Sequence, residues 1–223
     1  EVQVELSADW AAPKLWGIGG EWGDPKSLYY LRSALRLADG DVPVDTHYQR
    51  FGFRELYVAD GQFLLNGVRL PLQGGGNWYL QEGKAPHGNR WFALRMYRAD
   101  RGMNVNIHRW HRHGDVAREF LDLGDELGML SEPEGAYWGA YGIPDIQGFT
   151  DWDDPVWVRN VTEHYRDWAW KHGSHPSVAL WSIENETFCA TDRPQAMVDR
   201  FVSFGAAVND EDPTRPVTFH GVE

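Results

Sequence analysis

From about residue 60 onward, short apolar runs alternate with longer amphipathic segments, and this alternation limits the fold more than any other feature of the chain. The runs lie near residues 70, 105, 130, 180 and 217, and each but the last is followed by a helical pattern. In DVAREFLDLGDELG, Asp115 reads as an N-cap, Val116, Phe120, Leu123 and Leu127 recur on one face, and Gly128 is the stop. In DPVWVRNVTEHYRDWAWKHG, Asp154 is the cap, Pro155 the first helical residue, and Val158, Val161, Tyr165 and Trp168 the apolar stripe. NRWFALRMYRADRG predicts a helix with Phe92, Met96 and Ala99 on one side; TDRPQAMVDRFVSFGAAVND predicts another with Met197, Phe201, Phe204 and Val208 inward. SVALWSI is continuously apolar, as a strand covered on both faces must be. Strands alternating with helices imply a parallel sheet joined by βαβ crossovers. The glycine-rich residues 73–77 are not followed by a helix start, which argues against the dinucleotide turn of a doubly wound sheet. The architecture that remains is a (β/α)₈ barrel, which takes about 250 residues; about five of its eight units fit here.

The first 55 residues have a different rhythm. Val2, Val4 and Leu6 alternate with polar residues, as in a half-buried strand, and the pair Asp39 and Gly40 between LYYLRSALRL and VPVDTHYQRF suggests a hairpin. We therefore expect residues 1–55 to be the remnant of a β-sandwich and residues 56–223 the N-terminal part of a barrel. FLLNGVRLPLQG reads as a strand pair at the junction. The chain starts at Glu1 with no initiator Met and no signal-like segment, so it reads as an internal segment of something longer.

Composition narrows the function. A net charge of −12 over 223 residues, with no Lys/Arg cluster, argues against nucleic acid, and no apolar run is long enough for a membrane span. The single cysteine, Cys189, excludes an internal disulfide and leaves the compartment unassigned. The 12 Trp suit a large core or a sugar site, because a flat apolar ring with one polar atom serves both.

Barrel chemistry gathers at the C-terminal ends of the strands. There the sequence places Asn77, then Arg109, Trp110, His111 and His113, then Glu132 and Glu134, then Trp181, Glu184, Asn185 and Glu186, and finally His220. Amides, acids, His and Trp converging on one rim suit sugar hydroxyls and sugar C–H faces. Glycoside cleavage needs two carboxyls flanking the bond, one of them protonated near neutral pH. Glu186, at the end of the most apolar strand and two residues beyond Glu184, is the candidate acid; a salt-bridge role for both at a loop mouth is the competing reading.

HPSVALWSIENET, residues 175–187, resembles the "HPS-apolar-W-S-x-x-N-E" signature of glycoside hydrolase family 2, which includes β-galactosidases, β-glucuronidases and β-mannosidases. PKSLYYL and FGFRE are similar to the end of that family's immunoglobulin-like domain. FLLNGVRLPLQGGGNW resembles its first barrel strand, DELGML the lead into its third, and DPTRPVTFHG its fifth. The resemblance implies a retaining exo-β-glycosidase in which Glu186 is the acid/base and Asn185 bonds the sugar 2-hydroxyl. It implies a β-linked oligosaccharide or glycoside as substrate and no required cofactor, although some relatives bind structural Mg²⁺ or Na⁺, and it is compatible with an oligomer. Asn77, Arg109, Trp110, His111, His113, Glu132, Trp181 and His220 are then the expected substrate-binding residues.

The chain departs from the family pattern in several places. The family has Asn, two apolar residues and Arg on the second strand; counted from Asn104, that place is Ile107, and Arg109 falls two later. The third strand reads SEPEG instead of "DEaN", and the usual Gly before Asn-Glu is Glu184. The family's nucleophile is a Glu on the seventh strand, which this chain does not contain, so the 223 residues alone are expected to be inactive. Two other readings compete. His111, His113 and His220 could form a metal site of the amidohydrolase kind, or the module could bind carbohydrate without cleaving it. A binding module has no need for Asn185 and Glu186 at a buried strand end.

Overall fold

The computed structural model describes residues 9–38, 40–76, 89–110, 118–138, 152–187 and 195–220. The expected strand at residues 2–6, and Asp115 and Val116, lie outside them. Two strands, β1 (Tyr29–Leu35) and β2 (Asp45–Phe51), pair antiparallel in the register Leu35↔Asp45. They are a hairpin as expected, but residues 36–44 intervene, so Gly40 belongs to a long connection and not to a two-residue turn. Next comes a meander of β3 (Leu56–Ala59), β4 (Gln62–Leu65) and β5 (Val68–Arg69). Its turns are the pairs Asp60 and Gly61, and Asn66 and Gly67, all four at positive φ, which two-residue hairpin turns of the primed type require. The Asn66 amide also donates to the carbonyls of Trp16 (2.8 Å) and Trp22 (2.6 Å), tying the earlier chain to the meander.

The remainder is the strand–helix repeat: β6 (Gly74–Gly76), α1 (Arg90–Gly102), β7 (Ile107–Trp110), α2 (Arg118–Leu127), β8 (Leu130–Trp138), α3 (Pro155–His172), β9 (Trp181–Asn185), α4 (Gln195–Glu211) and β10 (Val217–Thr218). The strands form one parallel sheet in the order β10-β9-β8-β7-β6, as successive βα units of an incomplete barrel do. Helix boundaries follow local chemistry. Asn89 and Asp154 accept from the backbone N–H of Phe92 (3.1 Å) and Trp157 (2.6 Å), and Gly128 ends α2 at φ 68. The inward face of α1 differs from the expected one. Ala93 and Tyr97 are fully buried, whereas Phe92 and Met96 only flank the core, because the large Tyr97 ring reaches deepest and donates to the Phe120 carbonyl (3.1 Å). Phe120, Leu123, Val161, Tyr165, Trp168, Met197, Phe201, Phe204 and Val208 pack between sheet and helices as expected. Trp170, in contrast, is 75% exposed on α3.

The sequence motifs used to read this chain meet in one buried polar network at the start of β9. Asp125 of DELG accepts from the Ser177 N–H (3.0 Å) and lies 2.7 Å from Nδ1 of His175. Arg54 of FGFR donates to the carbonyls of Pro176 (2.7 Å) and Val178 (2.5 Å). Arg215 of TRPV donates to Val178 (2.7 Å), Gly173 (2.8 Å) and His175 (2.9 Å), and pairs with Asp212. These bonds satisfy the backbone of a buried turn that no ladder could satisfy. At this end of the sheet the motifs hold structure.

Between β8 and β9 the register shifts after Glu134, where Gly135 lies under Tyr165. A Cβ on Gly135 would stand 2.4 Å from the Ile183 carbonyl oxygen and 2.7 Å from the Tyr165 ring, and the Tyr165 hydroxyl donates to that same carbonyl (2.5 Å). Gly135→Ala is therefore expected to destabilise by roughly 1–3 kcal/mol through overpacking, read as a lower urea midpoint at unchanged slope.

Candidate active site

The pleat of β7 sends alternate side chains to opposite faces. Ile107 and Arg109 turn away from the helices, while His108 meets Asp100 of α1 (2.6 Å) and Trp110 packs against Tyr97 and Phe120. On β8, Glu132 and Glu134, two apart, share the face of Arg109. Arg109 donates through Nε to Glu134 (2.7 Å) and through Nη2 to the side-chain Oδ1 of Asn185 at the end of β9. This chain of contacts crosses three strands: a fully buried carboxylate, a guanidinium, and a carboxamide whose buried Nδ2 has no partner among the described residues. A guanidinium bonded to a carboxylate and a carbonyl oxygen holds the carboxamide in one orientation.

Glu186 follows immediately. It leaves the strand at φ 57, a left-handed conformation unusual for a non-glycine residue, and is partly exposed at the strand mouth. Thr187 closes the turn by donating its N–H to Glu184 (2.6 Å). The other Glu184 oxygen accepts from the His220 N–H (2.7 Å) beyond β10, and Nε2 of His220 is 2.8 Å from Glu132. Burial raises the Glu184 pKa above the carboxylate norm; the bonds from Thr187 and His220 pull the other way without cancelling it. Both Glu184 oxygens are thus taken by backbone N–H groups.

Of the residues expected at the rim, Arg109, Glu132, Asn185, Glu186 and His220 come together. Asn77, His111 and His113 lie outside the described residues. Trp110 and Trp181 do not reach the mouth. Trp110 is 1% exposed under α1 and α2; Trp181 is fully buried, 4.7 Å from Trp168, with its indole N–H on Asp212 (2.9 Å). Trp110 is one residue from Arg109 and Trp181 three from Glu184, so strand alternation assigns both rings to the helix layer. The second-strand motif also resolves. Asn104 is in the turn after α1 at φ 62, whereas the Asn106 side chain bonds the Gln73 N–H and the Pro71 carbonyl (both 2.8 Å). Counted from Asn106, Arg109 stands at the expected spacing. The sequence places Glu134 and Glu184 among the strand-end residues without giving either a role; their bonds to Arg109 and to the Thr187 and His220 N–H groups appear only in the structure.

A set of groups with metal-ligand geometry among the described residues is Asp122, Asp125 and His175, at the opposite end of the sheet. The Arg50 guanidinium occupies it, 2.7 Å from Asp122 and 3.2 Å from Asp125, and supplies the positive charge there.

The family model described as "Glycosyl hydrolases family 2, TIM barrel domain" matches residues 56–223. The chain is 30% identical to a beta-glucuronidase of Bacteroides fragilis over 204 residues, covering 88% of this chain and 28% of the relative. It is 23% identical to a beta-galactosidase of Priestia megaterium over 98% of this chain and 20% of that one. A crystal structure of Parabacteroides merdae beta-glucuronidase superposes with a TM-score of 0.71 at 25% identity, covering 92% of this chain and 24% of the other. The chain spans between 19% and 28% of the length of the first curated relatives it matches.

Proposed function

Because the chain belongs to glycosyl hydrolase family 2, whose TIM-barrel domain it carries at residues 56–223, we propose that it supplies the acid/base half of a retaining exo-β-glycosidase. Residues before 56 are read as the end of an immunoglobulin-like β-sandwich. The observation that carries this reading is the Glu134–Arg109–Asn185 chain ending beside Glu186 at the strand mouth. Glu186 protonates the departing glycosidic oxygen and then, as carboxylate, takes a proton from the attacking water. Asn185, held by Arg109, presents its Nδ2, which has no partner among the described residues, to a sugar hydroxyl, and Glu132 with His220 offers an acceptor and a donor for another. The second carboxyl, which attacks the anomeric carbon, comes from outside these residues. This chemistry requires no cofactor in the family.

The relatives named beta-glucuronidase favour a β-glucuronide over a β-galactoside as the substrate. The complete polypeptide carrying these residues is expected to cleave nitrophenyl β-D-glucuronide at least about tenfold better in kcat/KM than nitrophenyl β-D-galactoside, a difference of about 1.4 kcal/mol. Equal rates, or a preference for the galactoside, would overturn the glucuronide assignment; turnover of neither would overturn the glycosidase reading. The 223 residues alone are expected to show no turnover.

A further inference from the structure

We propose that Glu184 is a positioning residue, a buried clamp that holds the turn carrying Glu186 in register with the end of β10. The inference rests on the acid/base reading of Glu186 and goes beyond it. Both carboxylate oxygens are used, and by donors from different strand exits: Oε2 by the Thr187 N–H at 2.6 Å and Oε1 by the His220 N–H at 2.7 Å. The first donor belongs to the residue after Glu186, the second to the residue whose imidazole meets Glu132. One fully buried side chain therefore links the backbone of the proton donor to that of the sugar-binding pair.

The clamp is needed because Glu186 has a positive φ, where a side chain costs about 1–2 kcal/mol relative to a right-handed conformation. Without a restraint the turn would relax and swing the carboxyl away from the mouth. A carboxylate suits the task, since its two acceptors match two N–H groups and it presents no donor to oppose them.

The test uses the complete polypeptide with Glu184→Gln and Glu184→Asp, assayed on nitrophenyl β-D-glucuronide or whichever nitrophenyl β-glycoside the wild type cleaves. Gln keeps the volume but turns an N–H toward one of the two backbone donors; Asp keeps the charge and is one methylene short. For Gln, kcat is expected to fall about 10- to 100-fold with KM within about twofold, the signature of an interaction realised in the transition state. Asp is expected to recover part of that loss. Deuterium exchange read by mass spectrometry should speed up together in the peptides containing Thr187 and His220 and stay unchanged in those of β7. Unchanged kcat in a folded Gln variant, or exchange that changes in one of the two peptides alone, overturns the clamp. If Gln fails to fold, the Asp variant decides on the same two readouts. Failure of the glycosidase reading appears separately, as a wild type that cleaves no glycoside, and the exchange result still decides whether Glu184 joins the two exits.

Discussion

Glu186→Gln in the complete polypeptide is expected to lower kcat by about 10²- to 10⁴-fold on glycosides with poor leaving groups. Gln fits the site but carries no proton to give, so an alkoxide must leave unassisted. A nitrophenolate departs without a proton, so bond cleavage on nitrophenyl glycosides is expected to suffer far less. Hydrolysis of the glycosyl-enzyme, which needs Glu186 as base, then becomes limiting, and KM falls together with kcat. Azide needs no base to attack and should restore turnover on nitrophenyl substrates. The discriminating measurement is the dependence of the loss on leaving-group acidity. A loss of equal size on alkyl and nitrophenyl glycosides, with no response to azide, assigns Glu186 a structural role and removes the basis of the proposed function.

Arg215→Met is expected to destabilise the fold by about 3–5 kcal/mol, the largest stability effect foreseen for a single side chain here. Arg215 is 7% exposed and donates to three backbone carbonyls as well as Asp212. Methionine would roughly match its volume, remove the donor from the Gly173 carbonyl and one donor each from Val178 and His175, and take the counter-charge from Asp212, which keeps only the neutral donors Trp181 and Thr214. The pH dependence gives the sign independently. Burial pushes the Asp212 pKa up, but the Arg215 charge and the bonds from Thr214, Arg215 and Trp181 outweigh it, so the folded value lies below the ordinary 3.8. The unfolded chain then binds the proton more tightly, and the stability this group provides is complete above pH 3.8 and lost as pH falls through it toward the folded value. In Arg215→Met the lowering by the Arg215 charge and bond is gone while that by Thr214 and Trp181 remains, so the folded pKa rises from its wild-type value and the variant's deficit shrinks on acidification. Urea midpoints from pH 3 to 7 should show converging curves; parallel curves would mean that the pair is not coupled. Asp212→Asn combined with Arg215→Met should recover part of the loss, as neighbours in one network do.

Part of this molecule was readable one residue at a time. The caps at Asp154 and Gly128 and the stripe from Val161 to Trp168 follow from local chemistry and period, and the structure has them where the pattern puts them; of the apolar run SVALWSI only the last three residues join β9, which runs on to Asn185. Trp110 and Trp181 show where residue type misled. Tryptophan at a strand end suggested a sugar platform, but the pleat sends both rings under the helices, and only the pairing partners tell which face that is. The motifs behaved similarly: DELG, HPS, FGFR and TRPV are scattered along the chain, and nothing local shows that they bond one another.

What the sequence by itself determined was the kind of fold: a parallel strand–helix repeat, with Asn185 and Glu186 at the end of its most apolar stretch. That much follows from periodicity and from the limited ways a chain can bury apolar residues, while Glu186 as candidate acid comes from the motif it resembles. Only the tertiary structure decided which groups lie around that candidate. Arg109 reaches Asn185 across 76 residues and Glu184 reaches His220 across 36, and such pairings arise from how neighbouring strands align, which no local pattern encodes.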